Sequence, residues 1–297
     1  MASSIRKAQL PLSCQLCDNP NVIKWKCKDC VMLMCDNCKE RVHPKSKYSE
    51  KHTIISLKDI GKAILDIECT DFTLGSKDEV YYGQYRGSKV KVLLPDDVTN
   101  TVLSTSPMLI TCIHINKDKE IILGLREQGS PFPVTEFSTR QIAVFDENKK
   151  LKFLIEYDQK GKKLFSYIWR ISSDSYNNIY AIDQFENFDG RLVALEISGG
   201  VKFIYVGQSG VNTSQTPFNP MDVVITRTNI IIITDLNNHS LHALNTKGEM
   251  IGLQNVTDLG IKCPGSLCMD TEGFLLIGCT SHIKASYAKI HVAKIAL

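Results

Sequence analysis

The chain has 297 residues, 43% apolar and 23% charged, with a formal net charge of +3. This is an ordinary balance for a soluble globular protein, and no run approaches the ~18 apolar residues of a membrane span. Residues 1–70 carry 12 Lys/Arg against 8 Asp/Glu (+4) and the remainder 23 against 24 (−1), a surplus too small to demand a polyanionic partner.

Residues 1–12 show no periodicity and read as a flexible leader. Six of the eleven cysteines then fall between Cys14 and Cys38 as three Cys-x2-Cys pairs, Cys14/Cys17, Cys27/Cys30 and Cys35/Cys38, followed by His43 and His52. A Cys-x2-Cys pair can aim both sulfurs at one point across a tight turn, so each supplies half of a tetrahedral site. Eight donors are the number that two structural zinc ions require, with no coordination position left open. A segment of this length cannot bury an adequate apolar core, and zinc contributes roughly 10–16 kcal/mol in small zinc-folded peptides. A disulfide framework needs an oxidising compartment, whereas MASSIRKAQLPLS has no apolar run of signal-peptide length. The expectation is therefore a reducing, cytoplasmic setting with thiols available for metal.

The pattern Cys-x2-Cys-x9-Cys-x2-Cys-x4-Cys-x2-Cys-x4-His-x8-His resembles the B-box zinc finger of tripartite-motif proteins. The resemblance implies a cross-brace in which Cys14, Cys17, Cys35 and Cys38 hold one zinc, and Cys27, Cys30, His43 and His52 hold the other. The second ligand is Cys17, where the type-2 pattern often has His, so the subtype stays open. The module is expected over residues 13–55, with a short strand at Val31–Met34 and a short helix over Asp36–Val42.

From Ser56 to Glu68, Leu57, Ile60, Ile64 and Ile67 recur at helical spacing over less than two heptads. A linker helix over 56–69 is expected rather than the family's long coiled coil. No RING finger of that family is expected, with 13 residues ahead of Cys14. The sequence thus gives no basis for ubiquitin-ligase activity within the chain.

Beyond residue 70 the texture becomes short β-branched runs separated by polar turns, an all-β signal. Glu120–Gly124, Ile179–Asp183, Ile230–Asp235 and Phe274–Gly278 recur as the second strand of a repeated unit, and most units add a further hairpin. Val80–Tyr85 with Val90–Leu94 suggests a degenerate first unit. Such four-stranded repeats point to a β-propeller of five to six blades over 70–297, with a β-sandwich as the rival. The pattern resembles the NHL-type propellers at the C-terminus of many tripartite-motif proteins. The alternating strand Ala288–Ile295 is expected to pair with the first blade and close the ring.

No Gly-x-Ser-x-Gly elbow, phosphate loop or dinucleotide fingerprint is present. Asp183 and Asp235 end corresponding strands, where a turn-organising role is expected. The fold expectation is a small zinc-stabilised B-box module followed by an all-β propeller. The functional expectation is a non-enzymatic adaptor that engages protein partners and binds two zinc ions. An RNA-binding propeller, or a non-catalytic partner of a RING ubiquitin ligase, is the alternative.

Overall fold

A computed structural model of the protein describes residues 14, 16–17, 24–27, 29–30, 32–45, 51–56, 68–76, 79–95, 98–270, 273–279 and 289–294. The expected leader and residues 57–67 of the expected linker helix lie outside these. The chain divides into two compact units, one within residues 8–68 and one containing residues 69–297.

The first unit has a three-stranded antiparallel sheet in the order β2-β1-β3, formed by β1 (Trp25–Cys27), β2 (Leu33–Met34) and β3 (Ile54–Ser56). A single helix, α1 (Asp36–Arg41), follows β2, and a 3-10 turn (His43–Lys45) follows the helix. Its fully buried cluster consists of Cys14, Cys27, Cys35, Cys38 and Met34, with Trp25, Leu16, Cys30 and Ile54 packed around it. Four of those five buried residues are cysteines. A described core made mostly of cysteine is what a small metal-stabilised unit presents.

The second unit is a five-blade β-propeller. The first four blades are four-stranded antiparallel sheets. They comprise β4–β7 (Cys69–Leu74, Val80–Gln84, Lys89–Leu93, Thr99–Ser104) and β8–β11 (Leu109–Ile115, Ile121–Arg126, Arg140–Phe145, Leu151–Ile155). The third is β12–β15 (Ile168–Ser173, Ile179–Gln184, Gly190–Leu195, Val201–Tyr205) and the fourth β16–β19 (Pro220–Ile225, Ile231–Asp235, Ser240–Leu244, Met250–Asn255). The fifth has three strands, β20–β22 (Pro264–Met269, Phe274–Cys279, Lys289–Lys294).

The apolar runs that betray the repeat are the second strands of the blades, and the packing explains them. In β13, Ile179 and Ala181 enter the core between the second and third blades, whereas Tyr180 and Ile182 enter the next core. In β17, Ile231 and Ile233 face the third blade and Ile232 faces the fifth. Both faces of these strands are buried, so side-chain alternation yields a continuous apolar run rather than an apolar/polar one. Turn chemistry repeats as well. Asn116, Asp174, Thr226 and Asp270 each accept backbone N–H groups across the first hairpin turn of their blades. The residue three places on is left-handed in every case: Lys119, Asn177, Asn229 and Gly273.

The innermost strands β4, β8, β12, β16 and β20 pack on one another in that order, whereas β20 and β4 lack comparable packing. Among the described residues four buried clusters join the consecutive blades. Phe72 and Leu74 on β4 are exposed, as are Ile290 and Val292 on β22. The expected ring-closing strand therefore behaves differently: β22 pairs antiparallel with β21, with His291 opposite Ile277, as the third strand of its own blade. Pairing with a strand nearby in sequence needs a shorter loop than reaching the first blade, and so a smaller closure entropy.

Carboxylates tie the inner strands together. Every inner strand has a register shift near its start, and Asp71 and Arg170 follow two of these shifts while Asp222 lies within a third. Asp71 Oδ2 accepts from the Ile113 N–H at 3.1 Å, and Asp222 Oδ2 from the Leu267 N–H at 2.8 Å, each on the next blade. Arg170 Nη1 lies 3.2 Å from Asp71 Oδ1. Asp183 and Asp235 organise turns, accepting from Ser166 and Tyr167 N–H and from Asn219 and Asn238 N–H respectively.

Burial pushes the Asp222 carboxyl up to about 6 against the pull of Arg170. A carboxyl that holds its proton more tightly folded than unfolded makes the fold lose stability as pH rises from about 4 through about 6. Asp222→Asn removes this contribution. Urea unfolding should show the stability difference, variant minus wild type, rising by about 2 kcal/mol between pH ~4 and pH ~7. A difference independent of pH contradicts this account of Asp222.

Candidate metal centres

The structure brings the eight residues singled out by spacing into two groups of four. Cys14, Cys17, Cys35 and Cys38 form one, and Cys27, Cys30, His43 and His52 the other, with the donor atoms of each group within 4.8 Å of one another. The first Cys-x2-Cys pair therefore shares its point with the third, and the second pair shares its point with the two histidines. Cys14, Cys27, Cys38, Cys35 and His43 are buried, and Cys17 is exposed.

Local structure explains the convergence. The Cys17 N–H donates to the Cys14 carbonyl at 3.4 Å, closing the turn that points both sulfurs the same way. The Cys30 N–H donates to Cys27 Sγ at 3.3 Å, and the Cys35 N–H to Cys14 Sγ at 3.4 Å. Helix α1 starts immediately after Cys35 and carries Cys38 one turn back toward it. The 3-10 turn presents His43 Nε2 at 3.6 Å from Cys30 Sγ. His52 Nδ1 lies 3.1 Å from Cys30 Sγ and 3.7 Å from Cys27 Sγ. Cys17 and Cys35 Sγ are 4.0 Å apart. A tetrahedron with ~2.3 Å zinc–sulfur bonds has an edge of about 3.8 Å, so these separations suit ligands around one ion. No cysteine of the chain is in a disulfide.

The electrostatics call for a cation. Burial pushes the Cys14 thiol up, but hydrogen bonds from the Cys35 and Leu16 backbone and from neighbouring thiols more than offset this, to about 6. Cys38 is raised by its burial and by hydrogen bonds with the three neighbouring thiols. A thiolate on Cys14 therefore opposes ionisation of Cys38. A divalent cation at this point would favour the thiolate form of its ligands.

Spacing does not reveal the residues that hold the ligands in place. Asp29, inside the second Cys-x2-Cys turn, accepts from the Thr53 N–H at 2.7 Å and so fixes the segment bearing His52. Asp36 accepts from Trp25 Nε1 at 2.7 Å and pairs with Lys24, joining the start of α1 to β1. Lys39 Nζ lies 3.4 Å above the Trp25 ring. An acidic residue inside or next to a cysteine pair is the signal that would have pointed to both.

No family model matches the chain, and no curated protein is similar to it in sequence. Solved structures share the propeller. A luciferin-regenerating enzyme aligns over 82% of this chain and 80% of its own at 11% identity, with a TM-score of 0.53. A protein of unknown function from Bacteroides caccae covers 70% and 69% at 13% identity and a TM-score of 0.50. A gluconolactonase from Xanthomonas campestris covers 69% and 67% at 9% identity and a TM-score of 0.50. At these identities the likeness establishes the fold. It also corrects the expectation of a non-enzymatic chain: two of these three propellers are described as enzymes, so the lack of familiar catalytic motifs does not exclude activity. Among the described residues no helix is long and apolar enough to cross a membrane.

Elemental analysis of protein purified without chelator should give two zinc ions per chain. Cys27→Ala or His43→Ala should lose one ion and unfold the small unit, leaving the propeller's thermal transition within a few degrees of wild type. Full zinc retention in both variants contradicts the proposed ligand sets.

Proposed function

We propose that this protein is a zinc-folded interaction protein of the B-box and NHL-propeller type, acting in the cytoplasm. The zinc unit associates with a protein partner or a second copy, and the propeller offers a rigid face to a protein ligand. One observation carries the reading: eight Cys/His donors are consumed in two groups of four. A tetrahedral ion with four protein ligands keeps no position for water or substrate, so both ions are structural and the unit they fold serves as a surface. The cysteines are not cross-linked by disulfides, which fits a reducing compartment.

Two features support the propeller's part. The blades are fixed by four interblade cores, and the loops joining the strands vary in length from turn to turn without disturbing those cores. Its formal charge of −1, from the count of ionisable residues after position 70, favours protein over RNA as the ligand.

The test compares the full-length chain with its Cys27→Ala variant, by sedimentation over a range of concentrations and by quantitative affinity capture. The reading predicts that the variant loses self-association or a defined set of captured proteins while the propeller stays folded. Identical self-association and identical captured proteins in both forms contradict a binding role for the zinc unit.

A further inference from the structure

Outside the zinc unit the propeller has a cavity of ≈ 680 Å³ between its first two blades, lined by Arg86, Ser88, Leu109, Arg126, Gln128 and Ser130, together with Gly87, Gly129 and Pro131. Its volume falls in the range of small-ligand sites. Among the described residues its charged lining is two arginines, with no carboxylate.

Among the described residues neither Arg86 nor Arg126 forms an ion pair. The nearest carboxylate in sequence, Glu127, is committed elsewhere: it pairs with Arg140 and accepts from the Thr139 N–H at 2.9 Å. Arg140 is the cross-strand neighbour of Arg126 on β10, so Glu127 neutralises the other arginine of that pair. Arg126 Nη1 instead donates to the Glu127 and Gly129 carbonyls at 3.0 and 2.8 Å. Those bonds fix the guanidinium's direction and leave its charge unpaired. Arg86 projects from the β5–β6 turn with φ of 48°, its guanidinium 5.3 Å from the Tyr85 ring centroid.

We propose that this cavity binds a phosphate monoester, held between the Arg86 and Arg126 guanidiniums with the Ser88 and Ser130 hydroxyls and the Gln128 amide as further hydrogen-bonding groups. A phosphate monoester carries about −1.5 to −2 charge near neutral pH, matching two guanidiniums, each of which can bind it with two parallel hydrogen bonds. The cavity exceeds the phosphoryl group itself and so has room for the group that bears it. A single concave pair of cations suits one compact dianion better than an extended phosphodiester backbone, which needs a row of cations and stacking aromatics. The inference rests on the propeller alone and is independent of the zinc unit.

The probes are O-phosphoserine, glucose 6-phosphate, and a short peptide carrying one phosphoserine beside its unphosphorylated twin. Each is titrated calorimetrically into full-length, zinc-replete protein at fixed ionic strength. Saturable binding of phosphorylated probes is expected, weakened about tenfold or more by Arg86→Gln and by Arg126→Gln. Lys247→Gln, on a distant exposed turn, should leave it unchanged. Equal binding of free phosphate esters and peptide identifies a small-molecule ligand, whereas peptide binding alone identifies a phosphorylated protein. Arg86 is exposed, so its substitution leaves the fold intact, which the thermal transition confirms. Absence of phosphate-dependent binding, binding indifferent to both arginine substitutions, or single-stranded RNA binding that phosphoserine does not compete overturns the proposal.

Discussion

Four thiols at one point and two thiols with two imidazoles at another are the constraint on which the N-terminal unit depends. Among the described residues its sheet strands are two or three residues long, and Met34 is the one buried residue of its core cluster that is not a cysteine. Cysteines 21 residues apart in sequence, such as Cys14 and Cys35, are brought into contact only because both turn toward the same centre. The supporting contacts from Asp29 and Asp36 position the ligand-bearing segments, but exposed interactions of this kind add little to stability. Zinc bound by these donors would contribute far more, roughly 10–16 kcal/mol in small zinc-folded peptides.

The propeller rests on different physics. Its stability comes from sheet faces packed on sheet faces, with the second strand of each blade contributing alternately to the cores on its two sides. Buried carboxylates add direction. Asp71 and Asp222 each cross from one inner strand to a backbone N–H of the next, setting the stagger between blades where no strand-to-strand ladder exists. The faces that bound the series carry Phe72 and Leu74 at one end and Ile290 and Val292 at the other, so the two terminal blades keep apolar surface that the inner blades bury.

Much of this was legible in the sequence for physical reasons. The Cys-x2-Cys turns are local, and their chemistry leaves few alternatives, so the eight donors could be read from spacing alone. Buried strands such as Ile230–Asp235 announced themselves as unbroken β-branched runs between polar turns. What was not legible is non-local. The strand ending the chain shows the alternation of any strand, and nothing in Lys289–Lys294 states which partner it takes; the structure gives it to β21. The Asp71–Arg170 pair joins residues far apart in sequence, and Arg86, in a turn of the first blade, lines one cavity with Arg126, at the end of β9 in the second. The catalytic question was misjudged because a search for contiguous motifs does not exclude a site assembled from residues far apart in sequence, and two propellers of this fold are described as enzymes.

Zinc K-edge X-ray absorption on the purified full-length protein tests the central claim most directly. Six sulfurs and two nitrogens shared between two ions give an average shell of three sulfurs and one nitrogen per zinc, at about 2.3 and 2.0–2.1 Å. That shell is the predicted result. A shell of nitrogen and oxygen alone, or one averaging two sulfurs or fewer per ion, would contradict it.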